Sequence, residues 1–483
     1  MDDIEDPINQ VVKLEHPVST ELENLKFNMI TMGCAHNQAD SDQIVSKFLK
    51  SGATLVPYDQ ADLIYINSCT VKTPSQEKAI YQSTHAAENG KLVVLGGCVP
   101  QSMRLEARVA KLLAEQKLFI VGVLDDAQLQ VLLSLIKNRS FQSAPLVTPA
   151  FKTRHDPSEF PVFHSTKIAD VIPLSQGCLG SCTYCKTVQS RGRLVSYPIE
   201  QLKSRFEQAL SNATIQELWL TGEDTLAWGL DQNSGFSELF DAVMPLVEQT
   251  SKMVRVGMTD PESVINQQEQ LIKLLKHKNI YKFLHLPVQS GSTNVLKQMK
   301  RRYTYEEFEG LIKNLMEQIP ELVIATDVIV GFPGETEEDH QLTIKCLKDL
   351  KFQIVNVTQF YPRENTIAAK MEQIDPQIKK RRSLEAATEA VANFNRQQYI
   401  GQKMDVIVSE VLELKPEMAE QRIFGAKSYN YLSVLIQVKE KGTHEEILKQ
   451  CEARNLKIGA RVQVKIIAAT RVCLVGVEVE QNE

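Results

Sequence analysis

Cys178, Cys182 and Cys185 stand in a C-x3-C-x2-C array within SQGCLGSCTYCKTVQSRGRLVSY, residues 175–197. The array lies between an apolar run (Val171, Ile172, Leu174) and a basic segment carrying Arg191 and Arg193. Three thiolates on one short loop are the wrong number for a closed structural zinc, which takes four ligands. They suit a cubane iron–sulfur cluster with three irons held by protein and the fourth open. An iron without a protein ligand can take a substrate or cofactor, so the spacing points to chemistry as well as electron storage. The plain alternative is half a zinc site or three unrelated thiols.

Three further cysteines need the surrounding elements to bring them together. Strand candidates are Phe27–Met32, Leu63–Asn67, Leu92–Gly96 and Leu118–Val121, the last followed by a helix from about Asp126. Asp40 and Ser41 lead into a helix through Phe48, and Pro74 after Thr73 opens another. This alternation predicts a small doubly wound parallel sheet. Cys34, Cys69 and Cys98 follow its first three strands. Loops at the carboxyl ends of parallel strands form the ligand crevice, so the sheet gathers the three thiols at one edge. Any one alone would read as a core thiol. Together they predict a second metal site, again with three ligands. Asn37 and Asn67 either donate hydrogen bonds to cluster sulfurs or are turn residues.

The middle of the chain is a longer series of strand–helix units. Strand candidates are Val171–Ser175, Leu218–Thr221, Val254–Met258, Phe283–Pro287, Val323–Val330 and Ile354–Phe360, with helices such as Ile199–Leu210 and Glu337–Leu350 between them. Six such units make a partial barrel, whose active site lies at the carboxyl ends of the strands. The cysteine loop follows the first strand. Gly222-Glu223-Asp224, Thr259-Asp260-Pro261, His285–Ser292, Gly331–Thr336 and Tyr361–Asn365 follow the others. Glu223 could hold the amino group of a methionine moiety or be a solvated loop acid. Gly331 and Gly334 allow close backbone approach to a ligand or make a turn. His285 reads as a packed, hydrogen-bonded histidine.

At 483 residues the chain suits two or three domains, and its nine cysteines without a secretory signal suit metal ligation in a reducing compartment. The net charge of −6 looks wrong for a nucleic-acid partner. Yet Asp2, Asp3, Glu5, Asp6, Glu15, Glu21 and Glu23 face Lys13 alone in residues 1–24, which accounts for all of it. That acidic segment reads as a disordered tail. The domains expected are an amino-terminal sheet over 25–140, a proline-rich linker over 141–170, the barrel core over 171–400 and a carboxyl-terminal unit over 401–483. A helix over Gln377–Gln398 opens with Lys379, Lys380, Arg381 and Arg382, a solvated face or an RNA contact. After Gly401 come MDVIVSEVLEL, YLSVLIQV, RVQVKII and VCLVGVEV, which predict a small all-β barrel. Cys346, Cys451 and Cys473 match no ligand position.

These segments resemble the radical SAM methylthiotransferases. TMGCAHNQADSD, NSCTV and GGCVPQ look like the three cysteine segments of that family's amino-terminal domain. GCLGSCTYCKT looks like its radical SAM loop, and HLPVQSGS and DVIVGFPGET like its barrel signatures. The carboxyl-terminal barrel resembles TRAM, an OB-like RNA-binding module. Lys186 after the third loop cysteine, Glu223–Thr225, GMTDP from Gly257, QFYPR and AAKMEQ are most similar to the eukaryotic and archaeal branch, which acts on N6-threonylcarbamoyladenosine in transfer RNA. Leu226 and the ENTI of Glu364–Ile367 depart from that branch, where glycine and proline are common. Some animal members end in a hydrophobic anchor. This chain ends in VEVEQNE, so no membrane anchor is carried over and a cytoplasmic location is expected.

The resemblance implies two 4Fe-4S clusters, one on Cys178, Cys182 and Cys185 and one on Cys34, Cys69 and Cys98. It implies S-adenosylmethionine bound near Tyr184, Gly222, Glu223, Thr259, Gly331 and Tyr361, with Lys186 contacting substrate. The first cluster would reduce S-adenosylmethionine to a 5′-deoxyadenosyl radical, and the second would carry the sulfur. A methylthio group would then replace hydrogen at C2 of the adenine, beside the anticodon. Lys427, Tyr429, Tyr431, Lys465 and Arg471 could offer charge and stacking to the RNA. An electron donor and a sulfur source are implied without identity. The alternatives are the same chemistry on isopentenyladenosine or a ribosomal-protein aspartate, and a non-catalytic iron–sulfur RNA-binding or electron-transfer protein.

Overall fold

The computed structural model describes residues 10–70, 73–100, 107–138, 159, 161–392, 394, 396–412, 422–440 and 443–479. The amino-terminal unit runs β1 (Lys26–Thr31), α1 (Ala35–Lys50), β2 (Thr54–Leu55), β3 (Leu63–Ser68), α2 (Thr73–Glu88), β4 (Leu92–Gly97), α3 (Ala107–Ala114), β5 (Leu118–Ile120) and α4 (Asp126–Asn138). All its strands pair in parallel, in the order β2-β1-β3-β4-β5. Such strands are covered on both faces and so read as continuous apolar runs. Accordingly every residue of β3 is buried. Phe27, Met29, Phe48 and Leu133 fill one side, and Ile30, Ile64, Ile66 and Leu113 the other. The strand order reverses between β1 and β3, where a crevice opens at the carboxyl ends.

Two expectations need correction here. Helix α1 starts at Ala35, so Asp40 and Ser41 lie inside it rather than at its start. They are buried because their side chains serve the crevice, as described below. The acidic segment is also not disordered throughout. Residues 1–9 lie outside the described residues, but Val12 bridges Leu55 and Leu22 is buried in the sheet's core. Those apolar residues supply the contacts that a charge count overlooks. Most of the expected linker, residues 141–158 and 160, lies outside the described residues. Its end packs on α1, with Phe163 buried in the amino-terminal core.

The central unit begins with β6 (Ala169–Pro173), β7 (Ser175–Gln176), α5 (Thr187–Arg191), β8 (Val195–Ser196), α6 (Ile199–Ser211) and β9 (Glu217–Thr221). It continues with α7 (Phe236–Glu248), β10 (Met253–Arg255), α8 (Pro261–Ile265), α9 (Gln268–Leu275), β11 (Phe283–His285), α10 (Thr293–Gln298), α11 (Tyr305–Gln318), β12 (Val323–Val330), α12 (Glu337–Leu350) and β13 (Ile354–Gln359). Strands β6, β9 and β10 form one parallel sheet and β11, β12 and β13 another. A bridge between Val254 and Ile280 and the bond from Thr259 N–H to the His285 carbonyl (3.1 Å) join them into the partial barrel. The first strand starts and ends two residues earlier than the sequence suggests, and Ser175 pairs with Ser196 instead. The antiparallel pair β7–β8 therefore brackets the cysteine loop and pins both its ends at the barrel mouth.

Helix α13 (Pro376–Ala392) carries the basic run, of which Lys380 and Arg381 are exposed while Lys379 and Arg382 are buried and so are neither a solvated face nor free for RNA. Arg382 is buried against Glu335 (2.7 Å), and Arg381 pairs with Glu337 (2.7 Å). The Lys379 stem fills the space where a side chain at Gly331 would stand. The run thus clamps the Gly331–Thr336 loop to α13.

The carboxyl-terminal unit is a closed barrel of β14 (Lys403–Val411), β15 (Arg422–Ser428), β16 (Ser433–Gln437), β17 (Arg461–Ala469) and β18 (Leu474–Glu478), with helix α14 (His444–Ala453) after β16. It closes the amino end of the central barrel. Tyr431 inserts there, its ring 5.0 Å from those of Tyr281 and Phe283 and 4.8 Å from the Arg255 guanidinium. Tyr431 is therefore a plug between two domains and not a stacking surface for RNA. Tyr429, Lys465 and Arg471 are exposed.

Candidate metal centres and the crevice between them

The amino-terminal crevice collects Cys34 at the start of α1, Cys69 after β3 and Cys98 after β4. Gly33 sits at φ +101°, and a Cβ there would fall 2.5 Å from Cys69 Cβ and 2.6 Å from its Sγ. Only glycine lets the two loops approach so closely. Asn37 is central. Its Nδ2 donates to the carbonyls of Met32 (3.0 Å) and Ser68 (2.8 Å). Its Oδ1 lies 3.7 Å from Cys34 Sγ and 3.8 Å from Cys98 Sγ. Asn67 Nδ2 donates to the Asn37 carbonyl (2.7 Å) and to Ser41 Oγ (2.9 Å). Both asparagines therefore brace the backbone that carries the thiols.

The second site is built locally. Cys178, Cys182 and Cys185 occupy the loop between β7 and α5. Thr183 fastens it to the barrel, its N–H donating to the Met299 carbonyl (3.1 Å) and its hydroxyl to the Gln298 carbonyl (3.0 Å). Tyr184 stacks edge-on against Phe332, 6.4 Å between centroids. Arg301 donates to Cys182 Sγ (3.2 Å) and pairs with Asp260 (2.7 Å). A cavity of about 410 Å³ lies against Cys178 and Cys182 and is lined by Asp224, Asp260, Ser263 and Arg301 among others.

The thiols are conditioned by burial. It pushes Cys34 up to about 12, with Glu223 adding and Arg191 opposing. Burial also raises Cys98, Cys178 and Cys182. Such thiols become thiolates when a bound cation supplies the compensating charge. A single tetrahedral ion, about 2.3 Å from each sulfur, would hold the sulfurs about 3.8 Å apart. Neither trio lies within 4.8 Å of one another, a limit met among the described residues only by Glu337, His340 and Glu385. All six thiols are free of disulfides. Two trios of soft donors, each one short of the four ligands a closed zinc site takes, suit iron–sulfur clusters.

Arg191 escaped the sequence reading as a site residue. It is 1% exposed and stands between the two sites. Its guanidinium donates to Asn37 Oδ1 (2.8 Å), Asp40 Oδ2 (2.6 Å) and Gln176 Oε1 (3.2 Å). Its Nε faces Glu223 Oε1 at 3.2 Å. Arg301 and Arg363 were missed too. Arg363 is held below its usual range by burial, with Cys185, Tyr184 and Cys69 opposing that shift. Two domains' thiols thus act on one guanidinium. The sequence signal was available in part: anionic clusters need nearby cations, and Arg301 and Arg363 lie in loops at the mouth, whereas Arg191 ends α5.

The remaining expected residues divide. Glu223 reaches Arg191 and His36 Nδ1 (3.6 Å), toward the amino-terminal domain. Asp224 turns the other way, accepting from Thr259 Oγ1 (2.7 Å), Ser263 Oγ (2.6 Å) and the Asp260 N–H (3.0 Å). Gly222 packs beside Ser175 Oγ, and Tyr361 stands exposed at the rim. Gly331 makes a turn at φ +72° against Lys379. His285 is buried and bonded to Asp327 (3.1 Å) inside the barrel. Lys186 is buried at the start of α5, and its ammonium feels Glu364 and Arg363. Leu226 is packed in the barrel core. Asn365 holds φ +65°, a conformation that asparagine tolerates better than most residues.

Residues 172–347 match the Radical SAM superfamily, and residues 26–121 match the Uncharacterized protein family UPF0004. The fold resembles a radical S-adenosylmethionine methyltransferase, TsrM, from Kitasatospora setae, at TM-score 0.51 and 11% identity over 72% of this chain and 77% of that one. The radical SAM assignment implies a 4Fe-4S cluster and S-adenosylmethionine. Among curated proteins, threonylcarbamoyladenosine tRNA methylthiotransferase of Xenopus laevis is 34% identical over 89% of this chain and 75% of its own length. The Homo sapiens protein of that name is 34% identical over 84% of this chain and 68% of its own. A probable member from Pyrococcus horikoshii is 33% identical over 80% of this chain and 88% of its own. The two family matches span both sets of cysteines, and the chain belongs to the threonylcarbamoyladenosine tRNA methylthiotransferase family.

Proposed function

We propose that the protein adds a methylthio group to C2 of N6-threonylcarbamoyladenosine beside the anticodon of transfer RNA. The observation that carries this reading is the meeting of two three-thiol sites across one buried arginine. When bound, the clusters and S-adenosylmethionine supply the radical and sulfur chemistry. The chain's own residues do the rest. Cys178, Cys182 and Cys185 would hold the cluster that binds S-adenosylmethionine, and Cys34, Cys69 and Cys98 a second one. Arg301 and Arg191 place positive charge beside the thiolates. Phe332, Phe360 and Tyr184 fence the loop from water on the barrel side. The crevice at the mouth takes a base more easily from a loop than from a duplex.

Lys186 is the residue best placed to read the threonylcarbamoyl carboxylate, as a point charge beside the cluster loop. Glu364 lies near enough to compete for it. RNA grip falls to Tyr429, Lys465 and Arg471 on the carboxyl-terminal barrel. The electron donor and the sulfur source are further partners. No helix among the described residues is long and apolar enough to cross a membrane.

The test is mass spectrometry of nucleosides after reaction of the reconstituted protein with threonylcarbamoylated RNA, S-adenosylmethionine, sulfide and a reductant. The methylthiolated nucleoside is expected, and its absence alongside 5′-deoxyadenosine formation would refute the substrate. Lys186→Ala should lower activity on that RNA by about tenfold or more, in line with loss of a charged contact. Unchanged activity would remove Lys186 from the substrate site.

A further inference from the structure

We propose that Arg191 is a positioning residue that locks the amino-terminal cysteine crevice to the radical SAM loop. Its hydrogen bonds to Asn37, Asp40 and Gln176 and its ion pair with Glu223 set the separation across which the two halves of methylthio transfer must meet. The inference rests on the two-cluster reading above.

Its backbone is already fixed. Arg191 ends α5, six residues after Cys185, and the β7–β8 pair closes the loop around it. Its side chain leaves that unit and enters the other. Two acceptors, Asn37 Oδ1 and Asp40 Oδ2, belong to α1, and Gln176 Oε1 belongs to β7. The carboxylate of Glu223 comes from the loop after β9. One planar fork thus ties three elements from two domains. Lysine has a single ammonium and cannot reproduce that geometry.

An ordinary interdomain ion pair would need only Asp40. The bond to Asn37 adds something specific. Asn37 Oδ1 lies within 3.8 Å of both the Cys34 and the Cys98 sulfur, and Asn37 Nδ2 grips the strand ends on either side. Moving Arg191 therefore moves the brace of two metal ligands. Because the guanidinium is buried, its loss takes away the cation that faces both Asp40 and Glu223. Reacting atoms have to stand about 3–3.5 Å apart, and a misplacement of about 1 Å can cost about a hundredfold. A coupling residue is then read in the yield of transfer per radical rather than in iron content.

The experiment uses the full chain as Arg191→Gln, Arg191→Lys and the charge-balanced Arg191→Gln/Asp40→Asn. On metal-free protein, iodoacetamide labelling of Cys34 and Cys98 is mapped against Cys182 in the same molecule. Arg191→Gln should raise the Cys34 and Cys98 rates relative to Cys182 by about tenfold, as local opening of the crevice predicts. On reconstituted protein, methylthiolated nucleoside per 5′-deoxyadenosine should fall by about tenfold to a hundredfold, with Arg191→Lys between. If Arg191→Gln does not fold, the double variant carries both measurements. Wild-type labelling and wild-type yield per radical in a folded variant would overturn the role of Arg191. Wild-type protein holding about four irons instead of about eight would instead overturn the two-cluster reading itself.

Discussion

The two thiol sites hold the same number of cysteines and are built in opposite ways. Cys178, Cys182 and Cys185 lie within eight consecutive residues on a loop whose ends are pinned by β7 and β8. Cys34, Cys69 and Cys98 are gathered from three strand ends of one sheet, and their geometry exists only when that sheet is formed. The local site keeps all three thiols partly exposed, whereas Cys69 and Cys98 are buried. The local site takes its charge from Arg301, on the barrel that carries it. The assembled site takes its charge from Arg191, on the other domain. One site can therefore tolerate local change, and the other depends on long-range packing.

The largest effect should come from removing each trio in turn. Alanine at Cys34, Cys69 and Cys98 should remove about four irons and leave about four, one cubane of two. 5′-Deoxyadenosine should still form, and methylthiolated nucleoside should vanish. Alanine at Cys178, Cys182 and Cys185 should abolish 5′-deoxyadenosine while the other cluster still assembles. An amino-terminal triple variant that stays folded and loses all its iron, or keeps all of it, would make the sites one rather than two.

A smaller change, the same at both places, sharpens the contrast. In Gly33→Ala the new methyl collides with Cys69, and the positive φ adds about 1–2 kcal/mol of strain. Amino-terminal iron should fall by more than half. In Gly180→Ala the methyl meets Cys178 Sγ at 3.2 Å and Cys182 Sγ at 3.7 Å, on a loop able to shift by a few tenths of an ångström. Iron content and 5′-deoxyadenosine yield should stay near wild type. Equal losses in the two variants would erase the distinction between an assembled and a local site.

The same contrast decided what could be read beforehand. Spacing alone revealed the loop trio, and strand periodicity placed the other three cysteines at strand ends. Contacts between domains were not legible, because nothing in a sequence aims Arg191 at Asn37. Tyr431 looked like an aromatic for stacking bases, yet a positive φ of 65° turns it into the bottom of the neighbouring barrel. Strand β15 was missed because it contains Gly425 and lacks a long apolar run. Helix α14 was missed although Thr443 and Glu446 spell a capping box, which the structure forms. The basic run of α13 suggested solvent or RNA because its partners, Glu335 and Glu337, lie over forty residues earlier.

The smallest expected effect is a pH dependence confined to the assembled site. Asp42 lies on α1 behind the thiol crevice, and its Oδ1 accepts from the Ser165 N–H at 3.1 Å. That bond belongs to a strap that also ties Phe163 N–H to Ser46 Oγ (3.3 Å) and Gln38 Nε2 to Ser165 Oγ (3.1 Å). Burial pushes Asp42 up to about 7, with nearby Asp170 adding and Ser165 and His164 opposing. The unfolded carboxyl titrates near about 3.9, so between those values the folded form holds a proton that the unfolded chain sheds. The stabilising contribution is fully present below the unfolded value and is lost as pH rises through about 7. Opening of α1 should therefore increase on going from pH 5 to pH 8, by at most about tenfold per pH unit. Hydrogen exchange of α1 against the loop at Cys182 measures it, and the loop should show only the intrinsic change. Asp42→Asn removes the titrating group and should flatten the α1 profile. A profile for that variant as steep as the wild type's would place the pH sensitivity elsewhere, and the strap would lose its part in holding the crevice.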